Sequence, residues 1–178
     1  MLKTFVNSFR VPEIRKKLMF TAAMLAIYRF GAHVPAPGID PNALDSLTKN
    51  FESGGALGLL NLVSGGSLQR FAIFALGVMP YITASIILQL MQVVVPALEK
   101  LKKEGEVGQQ KITQYTRYLT VGLSFAQSIG FVFVIRGAAS GGQDIFKNFG
   151  PGSVFVVVTT LTAGAVLVMW LGELITQR

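Results

Sequence analysis

Hydrophobic residues in this chain come in long blocks separated by short breaks rich in charge, proline or glycine, and the blocks set the expected architecture. The longest runs from Phe71 to Leu98 without a charged residue. As a helix it would reach roughly 42 Å, beyond the ~30 Å hydrocarbon core of a bilayer, so it is expected to tilt, kink or overhang. Pro80 inside it removes a backbone donor and predicts a bend there. On a helical wheel Val78, Ile82, Ser85, Gln89 and Gln92 follow at i, i+4, i+7, i+11 and i+14, one narrow arc that passes from apolar to polar. Two glutamines and a serine are costly against lipid, so the arc should face protein or water. Two readings stay open. In one, Ser85, Gln89 and Gln92 line a wet funnel that Val78 and Ile82 narrow and close to water. In the other, the arc is the buried seam of a helix bundle, its glutamines bonded to partner helices.

The same pattern predicts three more spans, at 18–34, 118–135 and 154–171, beside the long one at 71–98. Before the first lies a basic amphipathic stretch, 1–17, suited to a membrane surface. The apolar segment 18–34 follows a positive cluster as a signal peptide would, but Arg29 interrupts it and Val34-Pro35-Ala36-Pro37-Gly38 makes a rigid exit, so it reads as a span. Arg29 near its end is expected to snorkel to the interface. Residues 35–56 form an aqueous loop, with Asp40 placed to cap a short helix near Pro41–Leu47. The stretch 57–70 is apolar but too short to cross, and the Ser64-Gly65-Gly66-Ser67 break lets the chain reverse. It is either a re-entrant half-helix lying beside the constriction or a plain interfacial hairpin. The remaining segments, 99–117, 136–153 and 172–178, read as hydrophilic connectors and a polar end.

Composition fixes the class that the pattern suggests. With 51% hydrophobic and 14% charged residues and a mean hydropathy of +0.53, the chain reads as an all-α, polytopic membrane protein, since soluble chains carry about 25% charge. It has no cysteine, so disulfides and thiolate metal sites are excluded. The net charge of +7 is unevenly placed. With four spans, the side holding both termini carries eleven Lys and Arg and the other side five, which predicts cytoplasmic termini and removes any need to invoke nucleic acid.

Candidate chemistry changes little. His33, the single histidine, lacks ligand partners at metal-binding spacing and reads as a surface or interface residue. No span carries an aspartate or a histidine pair for hydrolysis, and Ser85, Ser124 and Ser128 have no base beside them. The glycine-rich turns lack the lysine and strand context of a phosphate loop. Neither an enzyme nor a cofactor or metal site is expected. What is left is a conducting or gating part, with a broken-helix solute transporter or a structural tetraspan scaffold as alternatives.

Six words of sequence, in order along the chain, carry a resemblance. They are Val34-Pro35-Ala36-Pro37-Gly38-Ile39-Asp40, Asn61 with Ser64-Gly65-Gly66, Ile73-Phe74-Ala75-Leu76-Gly77-Val78-Met79-Pro80-Tyr81-Ile82, Lys102-Lys103-Glu104-Gly105-Glu106, Gln114-Tyr115-Thr116-Arg117-Tyr118 and Met169-Trp170-Leu171-Gly172-Glu173-Leu174-Ile175-Thr176. On these the chain resembles the N-terminal part of the SecY family of protein-translocation channels. The resemblance implies four spans of a ten-span translocon fold in the plasma membrane, and hence a fragment. It implies that 57–70 is the plug, with Leu57, Leu59, Leu60, Asn61, Leu62, Val63, Ser64, Gly65 and Gly66. It implies that 71–98 lines both pore and lateral gate, with Val78 and Ile82 in the apolar pore ring and Thr83, Ile86, Ile87 and Gln127 meeting signal sequences at the gate. Implied partners are SecE and SecG, SecA or a translating ribosome, preprotein signal sequences and lipid.

Overall fold

The computed structural model describes residues 11–39, 59, 62, 64–67, 70–138 and 150–177. Five helices dominate them: α1 Pro12–Gly31, α2 Met79–Val94, α3 Pro96–Lys103, α4 Glu106–Ala138 and α5 Pro151–Gln177. The expected all-α class holds. The only extended pairing among the described residues is an isolated antiparallel bridge between Pro35 and Ala72. Expectations placed on residues 1–10, 40–58, 139–149 and 178, and on Leu60, Asn61 and Val63, fall outside the described residues.

Proline sets the starts. It occupies the first turn of α1, α2, α3 and α5, where its missing N–H removes no helical bond and its fixed φ already suits the helix. Pro80 therefore opens α2 and does not kink it, contrary to expectation. Residues 71–78 of the uncharged block are consecutive turns, so α2 is 16 residues long, about 24 Å, and much shorter than the block. The block is apolar for two reasons: its second half is helix, and its first half is buried. Phe71, Ala72, Phe74 and Ala75 are all nearly inaccessible. Non-helical backbone tolerates an apolar setting when protein covers it. At the other end Val95 is extended (φ −98°, ψ 112°), as a residue before proline tends to be, and α3 leaves α2 at 97°.

Helix α4 is longer than predicted, taking in most of the 99–117 segment read as a loop. α4 and α5 pack antiparallel. Arg117 faces Glu173 at one end, and the Ser128 and Thr162 hydroxyls meet at 3.3 Å further along. The buried side of α4 carries a ladder of small polar residues. Thr116, Thr120, Ser124 and Ser128 are buried, each hydroxyl donating to a carbonyl of the preceding turn at 2.7–3.0 Å. Small side chains let the helices approach closely while the satisfied hydroxyls avoid a desolvation penalty. By length and composition α4 and α5 can cross a membrane, and the bent pair α2–α3 adds a third crossing if it counts as one broken span. α1 does not qualify on these measures. Glu13, Arg15, Lys16 and Lys17 fill its first turns, leaving an uncharged stretch from Leu18 to Tyr28, about 16 Å of helix.

The core gathers distant segments. Phe71 and Ala75 pack with Ala36 and Ile39, with Val132 near the end of α4 and with Val157, Val158 and Leu161 near the start of α5. The Phe71 ring is fully buried and meets Phe131 at 5.4 Å between centroids, although its backbone sits at φ +48°. For a bulky residue such a φ costs about 1–3 kcal/mol, held here by the packing around it. α5 reaches the buried turns so closely that a Cβ at Gly164 would run into the Ile73 carbonyl oxygen.

Candidate functional site

The wheel arc on α2 divides when built. Pro80, Ala84, Leu88 and Gln92 form the packed face, which turns toward the rest of the bundle. Val78 and Ile82 stand on the opposite side, 39% and 43% exposed, one turn apart at the start of the helix. Gln89 continues that exposed face and the half-buried Ser85 lies beside it, Gln89 Nε2 donating to Ser85 Oγ at 3.2 Å. Gln92 does not share it. At 9% exposure it lies on the packed side, with Pro80, Ala84 and Leu88. The arc is therefore split between an exposed side and a packed side of the helix. Ile86 and Ile87 are exposed beside the arc. Thr83 on α2 and Gln127 on α4 are half-buried, on helices that pack along one another.

Against the base of α2 lies a tight turn. Gly65 (φ +65°) and Gly66 (φ +81°) take left-handed conformations that a side chain would strain, and they carry the chain round between Leu62 and Ser67. The turn abuts the residue before Val78: a Cβ on Gly77 would lie 4.0 Å from Ser64 Cα. Ser67, fully buried, ties the two together by placing its hydroxyl 2.7 Å from the Ser64 carbonyl and 3.0 Å from the Phe74 carbonyl. Leu59 and Leu62, just before the turn, are 66% and 77% exposed. An exposed pair of leucines, a bare turn and an exposed Val78–Ile82 pair therefore follow within one short stretch of chain.

Two further residues belong to this place, and sequence reasoning missed both. Tyr28 donates its hydroxyl to the Ser64 carbonyl at 3.2 Å, and Arg29 Nη1 donates to the Gly65 carbonyl at 2.8 Å. Arg29 was expected to snorkel to the interface; it is exposed, but its guanidinium is spent on this turn. Tyr28 is held by stacking on Phe74, centroids 5.5 Å apart and rings 3° from parallel. Phe74 reaches α1 because Gly31 leaves room: a Cβ there would strike its ring. Both contacts reach across 36 residues of chain to backbone acceptors, so no local sequence signal marked them. His33 Nδ1 lies 2.8 Å from the Arg29 carbonyl, a local helix-end contact.

At the other end of the bundle Arg117 grips Glu173 with two nitrogens, Nε to Oε1 at 2.8 Å and Nη2 to Oε2 at 2.7 Å. The Glu173 side chain is only 9% exposed, so this bidentate pair clamps α4 to α5 where the apolar lengths of both helices run out. Among the described residues no group of three His, Cys, Asp or Glu side chains converges. The site offers surfaces and hinges.

Comparison with known proteins bears on what such surfaces are for. The family model described as SecY matches residues 72–178. Over its whole length the chain is similar to proteins named protein translocase subunit SecY: 51% identical to that of Streptomyces griseus, 49% to that of Streptomyces coelicolor and 45% to that of Mycobacterium tuberculosis. It spans about 42% of the length of each of these relatives.

Proposed function

The chain belongs to the SecY family, and from that premise we propose that it forms the N-terminal wall of a channel through which unfolded preproteins cross the plasma membrane and from which apolar segments leave sideways into lipid. The observation that carries the proposal is the pairing of an exposed Val78–Ile82 step at the start of α2 with the turn 64–67 packed against the same point. In this reading Val78 and Ile82 supply two members of an apolar collar, the others coming from the rest of the relatives' length. A narrow ring of branched side chains holds too little water to hydrate an ion, yet yields to a threaded polypeptide. Leu57 to Gly66 form the plug that fills the collar's mouth at rest. Ser85 and Gln89 wet the approach.

Thr83, Ile86 and Ile87 on α2, with Gln127 on α4, are proposed to meet the signal sequence at the lateral gate. A signal sequence opens the channel by binding the open state better than the closed one, so its differential affinity sets the shift in population. No nucleotide-binding loop is legible in the chain, and the proposed sources of energy and partners are SecA or a translating ribosome, with SecE and SecG as companion subunits. The excess of Lys and Arg at both ends and in 99–117 supports cytoplasmic termini.

The test is crosslinking of a stalled secretory chain to single cysteines placed at 78, 82 and 86 in the full-length protein. Adducts at 78 and 82 are expected. Absence of adducts at all three positions rejects the assignment of this face to the conduit.

A further inference from the structure

The turn 64–67 is held from α1 by side chains that grip backbone. Gly65 and Gly66 are both left-handed; the Gly65 carbonyl accepts from Arg29 Nη1 at 2.8 Å, and the buried Ser64 carbonyl, already accepting from the Ser67 hydroxyl at 2.7 Å, also receives Tyr28 Oη at 3.2 Å. Among the described residues no carboxylate pairs with Arg29. Its charge therefore has the Gly65 carbonyl as its partner here. Everything around the two donors fixes where they point: Phe74 stacks under Tyr28, Gly31 admits Phe74, and Ser67 braces the far side of the turn through the Phe74 carbonyl. Yet the grip is shallow. Arg29 and Gly65 are exposed, so water competes for the bond and can replace it.

We propose that Arg29, assisted by Tyr28, is a positioning residue that latches the turn 64–67 in the resting channel, and that the plug leaves its seat by giving up these two bonds to water. This rests on the reading of 57–66 as the plug and of Val78 and Ile82 as the collar. Because the latch holds main-chain carbonyls, its strength is independent of the plug's side chains. Because its Arg29–Gly65 half is exposed and the whole is only two bonds, a modest differential affinity of an arriving signal sequence is enough to release it. A guanidinium donor to a carbonyl exceeds a neutral bond in strength, and at this exposure its loss corresponds to a shift of about fivefold to tenfold in the seated-to-released ratio.

The experiment uses the full-length channel complex in lipid vesicles, with any other cysteines replaced. A cysteine at Ser64, which is buried, reports release by its rate of maleimide labelling, and a cysteine at the equally buried Val132 on α4 reports general loosening. Ion leak through the resting channel is read in parallel. With Arg29→Gln, labelling at 64 and resting leak are both expected to rise about fivefold to tenfold, labelling at 132 to stay level, and Arg29→Lys to recover most of the loss. An unchanged rate at 64, or an equal rise at 132, overturns the latch. Ile82→Ser separates this from the underlying reading. If Ile82→Ser leaks and Arg29→Gln does not, the collar stands and the latch falls. If neither variant leaks, the collar reading falls as well.

Discussion

Replacing Gly164 by alanine tests how the buried turns 71–77 are supported. A Cβ on Gly164 would overlap the Ile73 carbonyl oxygen and crowd its carbon and Cγ2, and the obstacle is backbone, which cannot swing aside as a long side chain can. That backbone is itself tied down. Ile73 N donates to the Val34 carbonyl at 3.0 Å, Ala72 bridges to Pro35, and Ala36 N donates to the Phe71 carbonyl at 2.9 Å. Restoring ordinary contact needs a shift of roughly 1 Å between α5 and the turns, an overpacking that costs about 2–3 kcal/mol. Alanine returns about 1 kcal/mol through its better helix propensity, so the net destabilisation is about 1–2 kcal/mol. If the loss falls on the turns, their local opening increases about 5- to 30-fold. Amide hydrogen exchange of peptides covering 71–77 in the full-length protein reads that factor directly, with peptides from the middle of α4 as the internal reference. Exchange in 71–77 within twofold of the wild type, or an equal rise along α4, would refute the argument that α5 props these turns through Gly164.

The ion pair at the other end makes a second prediction. Arg117→Ala strands a nearly buried Glu173, and with the arginine itself partly exposed the expected loss is about 1–2 kcal/mol, seen as faster exchange around residue 117 in α4 and in the last turns of α5. A double-mutant cycle with Glu173→Gln should return a coupling of about 0.5–1.5 kcal/mol, and additivity would show that the clamp contributes nothing. At the α2–α3 corner, Pro96→Ala restores a backbone donor and frees Val95 to become helical. The angle of 97° should then open, read as a longer distance between spin labels at Leu90 and Lys103, while an unchanged distance would place the cause of the corner in packing against α4.

How much of this was legible in the sequence differs from element to element. The helical class, the apolar lengths of α4 and α5 and the glycine reversal at 65–66 follow from pattern, because each depends on local composition. The arc on α2 was legible as a face, and the separation of Gln92 from it was not, since that depends on tertiary packing and not on the helix's own pattern. Pro80 was legible as a helix disruptor, but a proline breaks a helix or begins one, and the choice turned on Gly77, whose φ of +55° stops any helix arriving from 71–76. The burial of those residues was invisible for a different reason. A buried turn and a membrane helix select the same apolar residues, and hydropathy cannot tell them apart. Tyr28 and Arg29 were missed because their acceptors are carbonyls, which leave no mark in a sequence.

The right-angled corner at Val95 has a metric consequence. α3 carries Glu99, Lys100, Lys102 and Lys103 along its eight residues, charges that are costly at membrane depth and favour a place near water. Ile82 lies thirteen residues back from the corner, about 20 Å along the axis of α2. Each residue inserted between 83 and 94 would move Ile82 about 1.5 Å further from the corner and swing it by about 100°, so the spacing of this segment sets both the reach and the facing of Ile82.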